Sequence, residues 1–125
     1  MTAKTYGPYS LFHVADGFVY TSGQIGAVKG VAKPDVKSQV KQALENLAGV
    51  LEEAGSGLDK VVKTTVFLTN MAHYSAMNEV YAAEFEKVGA APARTCVAVA
   101  ELPRVADHPL VVEIEAVALL REYKK

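Results

Sequence analysis

The sequence predicts an α+β domain spanning residues 1–125: a mixed six-stranded sheet with two helices packed on one face. Three observations predict it. Two stretches carry apolar residues at helical steps of three and four, each closed by a glycine. Six stretches are short, alternating or β-branched and read as strands. Their order is strands, helix, strand, helix, strand, strand. Two helices cannot cover both faces of such a sheet, so both are expected on one side.

Tyr6-Gly7-Pro8-Tyr9 opens with turn chemistry. Leu11, Phe12 and Val14 suggest a short strand, and Asp16-Gly17 is a hairpin turn signal. Phe18 to Ser22 is aromatic and β-branched, a strand that ends at Gly23, where backbone or ligand can come close. Ile25 to Val31 adds a further short strand. Asp35 caps a helix whose stripe is Val36, Val40, Ala43, Leu44, Leu47, Val50, Leu51 and Ala54, stopped by Gly55. Val61 to Thr69 is a long strand. Tyr74, Met77, Val80, Tyr81, Phe85 and Val88 form the second helical stripe, ended by Gly89. Pro92 to Pro103 is the fifth strand. A polar loop, Arg104 to Pro109, leads to the last strand, Leu110 to Leu120.

Half of the 125 residues are hydrophobic and 22% are charged, with a net charge of -1. That balance suggests neither nucleic acid nor an anionic membrane as partner. Positive charge is scattered, apart from Lys124-Lys125. The apolar runs are too short to span a bilayer, and Met1 to Tyr6 lacks a signal-peptide core. One cysteine excludes an internal disulfide. His13, His73 and His108 show no ligand spacing, so no metal is expected, and no glycine-rich nucleotide motif is present. The expectation is a cytoplasmic protein working without a cofactor.

The fifth strand carries the most chemistry. Side chains alternate faces, so Thr95, Val97 and Val99 share one face, which reads as core, and Arg94, Cys96 and Ala98 share the other. An arginine on the middle of an apolar strand needs an anion, from the protein or from a ligand. Glu113 and Glu115 share one face of the last strand, and either could pair with Arg94 or handle protons beside it. The face away from the helices is expected to hold Arg94, Cys96 and a glutamate, and its apolar remainder to bury against other copies. Cys96 as a nucleophile would need an activating base, and no histidine is near it in sequence. Ser22 is either a polar contact in a pocket or a turn residue bonding its own backbone.

These residues resemble the RidA/YjgF family of imine and enamine deaminases. The resemblance rests on Pro92-Ala93-Arg94-Thr95-Cys96-Val97, Leu102-Pro103 and Val112-Glu113-Ile114-Glu115-Ala116-Val117-Ala118, with Gly7-Pro8-Tyr9-Ser10 and Thr21-Ser22-Gly23-Gln24-Ile25 before them. Val61 to Leu68 and Met77-Asn78-Glu79-Val80-Tyr81 match as well, so nearly the whole chain is covered in order. The resemblance implies a barrel-like homotrimer with clefts between subunits. It implies hydrolysis of 2-aminoacrylate-type enamines and imines to 2-keto acids and ammonia. By position, Arg94 would grip the substrate carboxylate and Glu113 would hold and activate water. Cys96 would act through its backbone N–H and packing. Tyr9, Ser22 and Gly23 would line the cleft, with Asn78 at its border.

Three departures lie where a cleft could be reshaped. Leu11-Phe12 stands where the family commonly has Gln and a small residue. The loop after Ile25 is short and lacks a common proline, and the 104–109 loop, with His108, is long. They leave open a deaminase specialised for a pathway amino-enoate, of 3-aminoacrylate or 2-aminomuconate type, or a non-catalytic, chaperone-like trimer that binds 2-keto acids.

Overall fold

The structure, a computed structural model, describes residues 5–122. Residues 1–4 and the Lys124-Lys125 pair lie outside them. Eight strands and two long helices follow in the order β1 (Phe12–Ala15), β2 (Phe18–Thr21), β3 (Gln24–Ile25), β4 (Ala27–Val28), β5 (Val31–Ala32), α1 (Val36–Glu53), β6 (Val61–Leu68), α2 (Tyr74–Glu86), β7 (Ala93–Ala98) and β8 (Val112–Leu119). Six strands form one mixed sheet in the order β1-β2-β8-β6-β7, with β3 pairing the other half of β8. Among the described residues, only β6 and β7 run parallel, because α2 carries the chain back between them. Among the described residues, no helix is long and apolar enough to cross a membrane.

Local chemistry sets these elements. Asp16 and Gly17 both take positive φ, so the β1–β2 turn has the twist a two-residue hairpin needs. Asp35 Oδ2 accepts from the Ser38 amide at 2.9 Å, capping α1. At the other end Gly55 sits at φ 86, while the Gly55 and Ser56 amides donate to the Glu52 and Leu51 carbonyls. That is the bonding of a Schellman stop.

Both helices pack on one face, as expected. Leu44, Leu47 and Leu51 of α1 and Met77 and Phe85 of α2 meet Val66, Leu68, Val112 and Ile114 of the sheet, and all of these are buried. Two expectations need correction. The strand placed over Ile25 to Val31 is split: Ile25 belongs to β3, and Ala27–Ala32 forms a separate β4–β5 hairpin. Lys29 (φ 52) and Gly30 (φ 79) turn that hairpin, and the turn is what breaks the strand.

The second correction concerns β7. Its Arg94–Cys96 side faces the helices, and Thr95 and Val97 are exposed on the open side. Register fixes this: Cys96 pairs with buried Val66, and Val97 pairs with Phe67, which pairs with Glu113. The open face therefore carries Glu113, Glu115, Phe67 and Val97, but neither Arg94 nor Cys96.

Candidate active site

The residues singled out from the sequence gather into two groups on opposite faces of the sheet. The first surrounds Arg94. Its Nη1 donates to Asn78 Oδ1 at 2.7 Å and its Nη2 to the Tyr74 hydroxyl at 3.1 Å. The guanidinium carbon lies 4.9 Å from the Tyr81 ring centroid and 5.5 Å from that of Tyr74. Both rings can therefore hold it by cation–π attraction. α2 supplies all of these partners, because positions 74, 77, 78 and 81 fall on its inner side. Among the described residues, none of its hydrogen-bond partners is a carboxylate. The Arg94–Glu pair allowed by the sequence is absent, because β7 turns Arg94 toward the helices.

Cys96 lies two residues along the same side and packs against the core. Burial pushes its thiol pKa up, and the nearby Arg94 charge only partly opposes that. A thiol held protonated is a poor nucleophile.

The second group surrounds Glu113. A cavity of about 350 Å³ is lined by Tyr9, Leu11, Ser22, Gly23, Val105 and Glu113, among others. Glu113 comes from the open side of β8 and pairs in register with Ile25 of β3. The backbone of Gly23 passes so close to it that a Cβ there would collide with the Glu113 carboxylate. Ser22 Oγ donates to the Ser10 carbonyl, tying the two loops at the cavity together. Burial first, and then the charge of Glu115, raises the pKa of Glu113. A carboxyl so placed holds its proton more readily than a solvated one and is suited to taking and returning protons.

Arg94 and Glu113 are thus separate within one protomer. Two strand spacings and three residues of register lie between them, about 14 Å at the backbone, with the sheet in between. Among the described residues, no group of three His, Cys, Asp or Glu side chains could hold a metal ion.

In the sequence Tyr74 and Tyr81 stand out only as members of an apolar stripe. The signal lies in the residue type, since a buried tyrosine must place its hydroxyl. The Tyr81 hydroxyl does so on Thr64 Oγ1, at 2.7 Å.

Residues 2–120 match the family described as Endoribonuclease L-PSP. The chain is 44% identical over 118 residues to a RutC family protein of Synechocystis, covering 91% of this chain and 87% of that one. It is 42% identical over 116 residues to a mouse protein named 2-iminobutanoate/2-iminopropanoate deaminase, covering 90% and 82%. It also resembles the crystal structure of E. coli TdcF with bound serine, with TM-score 0.86 and 35% identity, covering 94% and 92%.

Proposed function

The chain belongs to the endoribonuclease L-PSP family, the RidA/YjgF family of its motifs, and on that footing we propose that it is a cofactor-independent deaminase of 2-aminoacrylate-type enamines and their imine tautomers. The products are a 2-keto acid and ammonia. The observation that carries this reading is Arg94: a guanidinium held in place by neutral partners, with no carboxylate among the described residues bonded to it. Such a group is prepared for the carboxylate of a ligand, which its planar fork can take in bidentate fashion. The serine bound to E. coli TdcF is a small carboxylate of that kind. The name of the mouse relative supplies the imine chemistry.

Each site takes Arg94, Cys96 and Asn78 from one copy and the Glu113 cavity, with Tyr9, Ser22 and Gly23, from the next. The copies form a homotrimer with a barrel-like centre. This arrangement brings together two half-sites that one protomer keeps apart. The open sheet face supports it, because Tyr20 and Val97 are exposed there beside half-buried Phe67 and Val117.

The reaction balances without a cofactor. Protonation of an enamine at its β-carbon, or of its imine tautomer at nitrogen, gives the iminium ion, whose C2 is electrophilic. Glu113, as carboxylate, takes a proton from water while the water oxygen bonds to C2. Glu113 then returns the proton to the carbinolamine nitrogen. The C–N bond breaks with its electron pair on nitrogen, ammonia leaves, and the hydroxyl loses its proton to give the 2-keto acid. Cys96 takes part through backbone and packing, in keeping with its protonated thiol. A net charge of -1 offers little attraction for a phosphate backbone, which disfavours a ribonuclease role.

The test generates 2-aminoacrylate or 2-aminocrotonate with a serine/threonine dehydratase and traps the imine with semicarbazide. Addition of this protein should raise keto-acid formation at the expense of semicarbazone. No change at stoichiometric protein would refute the proposal.

A further inference from the structure

The guanidinium of Arg94 rests on a part of the interior that the chemistry above does not use. Thr64 of β6 and Arg94 of β7 are register partners, so both side chains leave their strands toward the helices. Thr64 is 1% exposed, and its Oγ1 shares a hydrogen bond of 2.7 Å with the Tyr81 hydroxyl. The Tyr81 ring packs against Phe85, with centroids 4.6 Å apart, and its own centroid is 4.9 Å from the guanidinium carbon. β6, α2 and β7 thus meet in one connected set, Thr64 to Tyr81 to Arg94.

A guanidinium takes both oxygens of a carboxylate only when its plane is held in the right orientation. Asn78 and Met77 engage Nη1, at 2.7 and 3.7 Å, and Tyr74 engages Nη2 at 3.1 Å. These contacts fix where the tip of Arg94 lies. The ring of Tyr81 attracts the cation and resists its tilting, provided that the ring keeps its own place. Phe85 supports that ring from the side, and the bond to Thr64 anchors the far end of its axis. Without the bond, Tyr81 would keep a buried hydroxyl with no partner or swing out to find one, and the ring would leave its place under Arg94.

We propose that Thr64 is a positioning residue for Arg94: acting through Tyr81, it sets the orientation in which the guanidinium receives a ligand carboxylate. The proposal rests on the reading of Arg94 as a carboxylate clamp and deepens it. Thr64 itself touches no ligand. If the pair served the interior alone, its loss would lower stability and leave ligand binding as it is.

The test uses the full-length protein with three changes: Thr64→Val, Thr64→Ser, and Thr64→Val combined with Tyr81→Phe. The first removes the hydroxyl at nearly constant shape and the second keeps it. The third removes both partners, so that no polar atom of the pair is left unsatisfied in the interior. Calorimetry gives the dissociation constant for 2-oxobutanoate. Semicarbazide competition, on the imine made from 2-aminobutyrate by an L-amino-acid oxidase with catalase, gives KM and kcat. Thr64→Val should weaken 2-oxobutanoate binding about tenfold, the scale of one hydrogen bond, and raise KM alike with kcat little changed, the pattern of lost uniform binding. Thr64→Ser should bind like the unaltered protein. The double variant should melt as a folded protein and still bind weakly. Variants that fold and bind 2-oxobutanoate as tightly as the unaltered protein overturn the proposal. So does an unaltered protein that binds no 2-keto acid, and so does failure of both Thr64→Val and the double variant to fold, which assigns the pair to the fold alone. If 2-oxobutanoate binds but no imine is accelerated, the deaminase reading fails by itself, and the dissociation constants decide the role of Thr64.

Discussion

Arg94 and Glu113 point to opposite faces of one sheet, although they lie only two strands apart. Their separation turns a question about one cleft into a question about two half-sites. Arg94 is positioned by α2, through Asn78, Tyr74 and Tyr81. Glu113 is positioned by the close passage of Gly23 and by burial on the open face.

If Arg94 binds the substrate carboxylate, its geometry matters as much as its charge. Arg94→Ala should lower kcat/KM by about 10²–10³-fold, the loss expected for a pair of charge-assisted hydrogen bonds. Arg94→Lys should recover little of it, because an ammonium cannot span both oxygens or stack between the two tyrosines. Imine-competition kinetics on the two variants gives the comparison.

Glu113→Gln should lower kcat by about 10²–10⁴-fold, the usual worth of a positioned acid–base group. It should also stabilise the fold at neutral pH. The folded pKa of Glu113 lies above its ordinary value of 4.5, so the native state holds the proton more tightly than the unfolded chain does. Stability is then fullest below pH 4.5 and falls as pH rises through the folded value. Thermal melts should show Glu113→Gln above the unaltered protein at pH 7.5, with the difference gone near pH 4.

Gly23 has no room for a side chain beside Glu113. Gly23→Ala would push the carboxylate aside while leaving both sheet partners of Glu113 intact. A displacement of about an ångström at a reacting group costs on the order of 10²-fold in rate. Steady-state kinetics should show that loss mainly in kcat, with a melting temperature close to that of the unaltered protein.

Gln39 is fully buried and serves three backbone groups at once. Its Nε2 donates to the Lys33 and Pro109 carbonyls, and its Oε1 accepts from the Val111 amide at 2.8 Å. It ties the start of α1 to the approach to β8. Gln39→Leu leaves those groups without partners in the interior and should cost about 3 kcal/mol or more in chemical denaturation.

The helices, their caps and the one-sided packing were legible because each rests on short-range rules: stripe spacing, an Asp N-cap and a glycine at positive φ. Arg94 and Glu113 were legible as residues but misplaced relative to each other. Alternation along a strand tells which side chains share a face; it does not tell which face meets the helices. On β7, Thr95 and Val97 look like core and Arg94 looks like surface, so the natural guess is reversed. Gln39 stood three residues after Val36 and four before Ala43, on the stripe itself. A polar residue at such a position signals a buried partner set. The tie of Asp107 to the β4–β5 hairpin joins segments 75 positions apart, which no local pattern carries.

Mixing two inactive variants tests the divided site most directly. Arg94→Ala and Glu113→Gln are purified separately, unfolded, combined in equal amounts and refolded, and deaminase activity is measured beside each variant refolded alone. Sites shared between neighbouring copies should return about a quarter of the unaltered activity, because random assembly around a head-to-tail ring pairs an intact Arg94 with an intact Glu113 at that frequency. Activity that stays at the level of the single variants, in oligomers shown to contain both chains, would contradict a site built across copies.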